Sequence, residues 1–136
     1  MDLFYTVRQH VLNELDSMVA AGELPSGLDM TSVAVEPPRD PLHGDMATNA
    51  AMVLSKSAKT NPREIAEKLA SRLSNLDIIE NSQVAGPGFL NLRINIKAWQ
   101  SILNKILELG SAYGRTGLGK NLRVNVEFVS ANPTGP

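Results

Sequence analysis

No cysteine occurs anywhere in the 136 residues, which excludes a disulfide framework and any thiolate metal site and fits a reducing compartment. Histidine is almost as scarce. His10 and His43 stand alone, so no Ser-His-Asp set is evident and the ligand spacing of a metal site is missing. The opening Met1-Asp2-Leu3-Phe4 has neither the basic flank nor the apolar core of a secretory leader. No apolar run approaches the roughly 18–20 residues needed to span a bilayer. Net charge is close to absent as well, −1 from thirteen Lys/Arg and fourteen Asp/Glu, which argues against a nucleic-acid binder driven by bulk electrostatics. These absences point to a soluble, cytoplasmic protein with no membrane partner.

What is present suits one domain with a core of its own, because 43% of the residues are hydrophobic and 20% charged. The charges are unevenly divided. Residues 1–84 hold seven Lys/Arg against twelve Asp/Glu, whereas residues 85–136 hold six against two. That asymmetry suits a positive side of the fold, and equally suits scattered solvated charges with no patch.

A stripe of Leu3, Val7, Val11, Leu12, Leu15, Met18 and Val19 at three-to-four spacing predicts a helix, stopped at Gly22 by a left-handed cap. Val33-Ala34-Val35 reads as a short strand ended by Pro37-Pro38, and residues 45–47 as another. Thr48 or Asn49 can cap a second helix. Asn61-Pro62-Arg63-Glu64 is the clearest start signal: a cap, a first-turn proline, and a glutamate able to reach back to the cap. Residues 83–85 and 89–96 read as strands around Gly86-Pro87-Gly88, a tight turn and not a phosphate loop. A last helix covers residues 97–109. The expected fold is α+β, a small antiparallel sheet of about four strands with helices packed on one face. Residues 1–110 form the domain, and the glycine-rich residues 111–122 a linker.

Alternation puts Leu90, Leu92, Ile94 and Ile96 on a core face and Phe89, Asn91, Arg93 and Asn95 on the other. An aromatic, an amide and a guanidinium along one strand can stack a base, read its edge and hold a phosphate. Spacing alone favours an ordinary face, with Phe89 packed on a loop and Asn91 and Arg93 facing water. Arg39, Asp40, His43 and Asp45 share a proline-rich loop, where bracing by salt bridges and hydrogen bonds is the expected role. Residues 124–129 read as a buried strand followed by turn chemistry, the position beyond a strand end where α/β sheets bind ligands.

The run Glu127-Phe128-Val129-Ser130-Ala131-Asn132-Pro133-Thr134-Gly135-Pro136 resembles the one preceding the His-x-Gly-His signature of arginyl-tRNA synthetases, class I aminoacyl-tRNA ligases. Three more segments resemble the amino-terminal domain of that family. They are Val35-Glu36-Pro37-Pro38-Arg39-Asp40-Pro41 with His43-Gly44-Asp45, Ala47-Thr48-Asn49-Ala50-Ala51, and Ala85-Gly86-Pro87-Gly88-Phe89-Leu90-Asn91-Leu92. Four motifs in order cover the chain from about residue 3 onward, and together they are specific. No His-x-Gly-His follows within the sequence.

The resemblance implies a domain that contacts the tRNA D-loop and elbow, with Phe89 and Asn91 reading one base. Arg93 extends that set through its place on the same face. It implies further that Glu127, Ser130 and Asn132 line an arginine pocket, and that Ala131, Asn132, Pro133, Thr134, Gly135 and Pro136 open a nucleotide-binding signature. Residues 123–136 would then be the first strand of a truncated catalytic domain. The parent enzyme would be a monomer that uses arginine, ATP and Mg²⁺; the fragment, with no catalytic residue, cofactor or metal, would be inert. The alternative is a stand-alone RNA-binding or protein-interaction domain of the same fold.

Overall fold

The computed structural model describes residues 2–117, 119–120 and 122–128. Along them run α1 (Leu3–Ala20), β1 (Val35–Glu36), β2 (Met46–Thr48), α2 (Ala50–Ala58), α3 (Pro62–Leu73), β3 (Ile79–Ala85), β4 (Phe89–Ile94) and α4 (Ile96–Leu109), with 3-10 turns at Pro41–His43 and Gly110–Ala112. The strands form one antiparallel sheet in the order β1-β2-β4-β3. The α+β expectation holds.

Local chemistry accounts for the helices. The Asp2 carboxylate accepts from the Phe4 N–H at 3.0 Å and starts α1. One apolar stripe, Leu3, Val7, Val11, Leu15 and Met18, is buried. At the other end Gly22, with φ +72°, lets the Gly22 and Glu23 N–H groups close on the carbonyls of Val19 and Met18 at 3.0 and 2.9 Å. In α3 the Asn61 side chain accepts from the Arg63 N–H at 2.9 Å and Pro62 is the first residue, as expected. Glu64 does not reach back to the cap. It pairs instead with Lys68 Nζ at 3.1 Å, one turn on.

The helices α1, α2 and α3 cover one face of the sheet, where Leu90, Leu92 and Ile94 of β4 and Met46 of β2 meet Ile65, Leu69 and Leu73 of α3 in a single buried cluster. Arg72 ties α3 to α1: its Nη2 donates to Glu23 at 2.6 Å, and its Nη1 lies 3.7 Å from Glu14. The Arg72 hydrogen bond holds the Glu23 carboxyl below its ordinary range. That tie therefore stabilises the fold above the unfolded-state pKa and is lost as pH falls through the folded one. The helix α4 is bound more loosely. Ala98, Trp99 and Ile102 are half-buried against the core, while Leu103 and Leu107 face water.

Four expectations need correction. The first strand is Val35–Glu36, so Val33 and Ala34 precede it. The strand β3 begins at Ile79, four residues early. Asn95 and Ile96 leave the strand, because the Asn95 side chain accepts from the Lys97 N–H at 3.0 Å and caps α4. The buried strand expected over residues 124–129 is missing from its described part. Val124, Val126 and Phe128 are 73%, 62% and 91% exposed, and residues 122–127 join no sheet. A strand needs a neighbour for its N–H and C=O groups, and neither edge of this sheet takes the segment. Val129 lies outside the described residues.

Replacing Asn61 with Ala should destabilise the fold by about 1 kcal/mol, the usual value of a lost cap. Urea denaturation checks this; an unchanged midpoint would place the start of α3 elsewhere.

Candidate nucleic-acid interface

The uncovered face of β4 begins at the turn of residues 86–88. Gly88 sits at φ +150°, and a Cβ there would come 2.8 Å from the Pro62 Cβ. Only glycine lets the turn lie this close to the first residue of α3, and the turn delivers Phe89 to the strand with 43% of its surface exposed. Two residues on, Asn91 faces the same side between Ala47 of β2 and Gln83 of β3. Sequence alternation put it on an open face, yet it is 8% exposed. The reason is that β4 is an inner strand and its face is walled by a loop. Arg93, opposite Asn81, is exposed and lies outside the cavity formed there.

The wall is a strap of residues 37–43. The Asp40 carboxylate accepts from the Leu42 N–H at 2.9 Å, and the Asp40 carbonyl accepts from the His43 N–H at 3.0 Å. Gly44 then passes so close to β4 that a Cβ would lie 2.7 Å from the Leu92 carbonyl oxygen. Asp45 clamps the strap down: its N–H donates to that same oxygen at 2.9 Å, and its carboxylate accepts from the Ile94 N–H at 2.8 Å. The bracing role expected of the loop thus falls to Asp40 and Asp45 through hydrogen bonds. The side chains of Arg39 and His43 do something else. They line the cavity, and neither makes a hydrogen bond or ion pair among the described residues.

Between strap and sheet lies a cavity of about 440 Å³. Pro37, Pro38 and Ala47 give it apolar walls, Phe89 an aromatic one, and Arg39 and His43 a polar rim opposed by one carboxylate, Glu36. Three more polar side chains reach it, from Thr48, Asn49 and Asn91. Two are committed to the fold. The Thr48 hydroxyl donates to the Ala34 carbonyl at 2.8 Å and accepts from the Ala50 N–H at 3.3 Å. The Asn49 amide accepts from the Ala34 N–H at 2.8 Å and donates to the Ser32 carbonyl at 3.3 Å. Asn91 is different: among the described residues no group hydrogen-bonds its amide, although no side-chain polar atom is both wholly buried and unsatisfied. Its donor and acceptor therefore face the cavity.

An aromatic face beside an unsatisfied amide in a space of this size is suited to a flat heterocycle with hydrogen-bonding edges. The carboxyl groups held below their ordinary range, Glu23 by Arg72 and Asp29 by the Thr31 hydroxyl, lie away from the cavity and serve the fold. Glu127 is exposed on the segment after α4 and does not join Phe89 and Asn91. Ser130, Asn132 and the run from Ala131 to Pro136 lie outside the described residues. Sequence reasoning missed the strap as a wall. Its stiffness was legible in Pro37-Pro38 and Pro41, but the clamp that aims it joins residues 49 positions apart.

The family described as arginyl tRNA synthetase N terminal domain matches residues 6–94. Over all 136 residues the chain is 60% identical to an arginine–tRNA ligase of Cereibacter sphaeroides and 57% identical to those of Ruegeria sp. and Paracoccus denitrificans. It spans 23% of the length of each of these relatives. Among solved structures it is similar to Thermus thermophilus arginyl-tRNA synthetase, with a TM-score of 0.50 and 24% identity over 78% of this chain and 16% of that one, a likeness of fold. The α+β domain thus matches part of the chains of aminoacyl-tRNA ligases. The chain belongs to the arginyl-tRNA synthetase N-terminal domain family.

Because the Asn91 amide has no hydrogen-bond partner among the described residues, Asn91→Leu should keep or raise the urea midpoint of this chain, an apolar side chain of similar size needing no partner. A loss above about 1 kcal/mol would show that the amide holds the fold together.

Proposed function

We propose that this chain is the tRNA-receiving part of an arginine–tRNA ligase and that the cavity takes one unpaired base of the D-loop at the tRNA elbow. The observation that carries this is Asn91, a residue nine-tenths buried whose amide has no hydrogen-bond partner among the described residues, beside the exposed ring of Phe89. Phe89 stacks on the base, and Asn91 reads its edge by donating one hydrogen bond and accepting another, a pattern suited to adenine. Arg93, further along the face, holds a neighbouring part of the RNA.

Residues 1–110 are the binding domain in this reading, residues 111–122 a tether, and residues 123–136 the threshold of a catalytic domain. Every described residue from Gly110 on is exposed, which supports the tether. Glu127, Ser130 and Asn132 belong to the arginine pocket of the parent, a monomeric cytoplasmic enzyme. ATP and Mg²⁺ are the parent's requirements. A stand-alone binding domain of this fold is the other reading; 60% identity across all 136 residues to a ligase favours the first.

The 136-residue chain by itself should show no arginine-dependent pyrophosphate exchange, and turnover above background would overturn the division of labour. In the full-length ligase, Asn91→Ala should lower kcat/KM for tRNA by about ten- to hundred-fold, the roughly 1–3 kcal/mol of one bidentate base contact, and leave arginine and ATP affinities nearly unchanged. Phe89→Ala should act at similar size, since stacking on one base contributes about 1–3 kcal/mol. The deciding comparison is a tRNA with another base at the contacted position: if Asn91→Ala enzyme discriminates it as sharply as wild type, β4 is not the reader.

A further inference from the structure

We infer that the strap of residues 37–43 is the second jaw of this slot, with Arg39 holding the phosphate that adjoins the bound base. The inference rests on the reading of Phe89 and Asn91 as the base site. Its own support is the state of the arginines. Arg8 donates to the Val33 carbonyl at 2.7 Å, Arg63 pairs with Glu67, and Arg72 bridges Glu14 and Glu23. Arg39 alone among the arginines preceding Phe89 has no such partner among the described residues, although acidic residues outnumber basic ones in that part of the chain. It lines the same cavity as Phe89 and Asn91 and is itself exposed.

The strap is built to hold that position. Asp40 caps its turn, Gly44 permits its close approach to Leu92, and Asp45 ties it to the strand that carries Phe89 and Asn91. A cation on such a support is already placed near the base site, so little backbone ordering is needed when RNA binds. Pro37 and Pro38 give the base an apolar wall with no N–H left unsatisfied against it. Glu36, on the same rim, repels phosphate and confines it to the Arg39 side. A base, its sugar and one phosphate therefore meet three kinds of contact on one rigid unit: ring, amide and guanidinium.

Losing a phosphate contact weakens binding without regard to sequence and reduces its salt dependence, whereas losing a base contact relaxes discrimination at that base and leaves the salt dependence intact. The full-length ligase, titrated with an unmodified arginine-accepting tRNA transcript at several salt concentrations, separates the two. Arg39→Ala should weaken binding about five- to tenfold, between an exposed ion pair and a buried charge-assisted bond. It should reduce the slope of log K against log salt by about 0.7–0.9 and leave discrimination at the contacted base unchanged. Arg39→Lys should recover most of the slope, and Arg63→Ala, a comparably exposed arginine outside the cavity, should change neither quantity. If Phe89→Ala and Asn91→Ala weaken binding while Arg39→Ala keeps the wild-type affinity and slope, the jaw is overturned and the base site survives. If Arg39→Ala alters base preference with the slope intact, Arg39 acts on the base and the phosphate assignment falls. If Phe89→Ala and Asn91→Ala are themselves without effect, the base site and the jaw fall together.

Discussion

The carbonyl oxygen of Leu92 accepts the N–H of Asp45 where the strap crosses β4, and the geometry of the cavity depends on that crossing. Gly44 is what permits it, since any side chain would meet the same oxygen within van der Waals distance. With the strap held there, β4 is a strand with one side turned to the helices and the other side walled. Without it, Phe89 and Asn91 would lie on an open sheet face, as alternation alone suggests. The concavity comes from one close backbone approach, which the missing side chain of Gly44 allows.

The two sides of β4 answer different demands. Towards α3, Leu90, Leu92 and Ile94 lie in the main hydrophobic cluster, with the Arg72 ties binding α3 to α1 behind them. Away from it, Asn91 presents an amide that no described residue hydrogen-bonds. A wholly buried amide left unsatisfied costs about 1–3 kcal/mol. Here the cost is smaller, because the polar tip opens to the cavity. Thr48 and Asn49, which line the same cavity, are committed to stitching β2 and the start of α2 to the segment around Ala34. The contrast between used and unused polar groups marks the site more clearly than any pKa does.

Much of this was legible in the sequence because the signals are local. The stripe of α1, its Gly22 cap, the Asn61-Pro62 start and the turn at residues 86–88 each lie within a few residues of the structure they specify. Phe89 and Asn91 were legible as a pair through alternation, and their partners in the cavity were not, because the strap reaches β4 through tertiary contacts. The early start of β3 was hidden by Glu80, Asn81 and Ser82, polar residues on an edge strand whose exposed burial pattern resembles a loop. Asn95 was misread for a simple reason: a side chain that caps a helix outweighs one more step of alternation. In residues 124–128 the alternating apolar pattern is present with no strand beside it to pair.

The proline pair that walls the cavity also stands at the outer margin of the sheet. The strand β1 occupies that margin, is two residues long, and runs directly into Pro37 and Pro38. Neither proline has an N–H to offer a passing strand. A second polypeptide that tried to extend the sheet here would find a template too short to copy and deaf where it continues. The same residues that wall the cavity thus protect this margin of the sheet from edge-to-edge pairing.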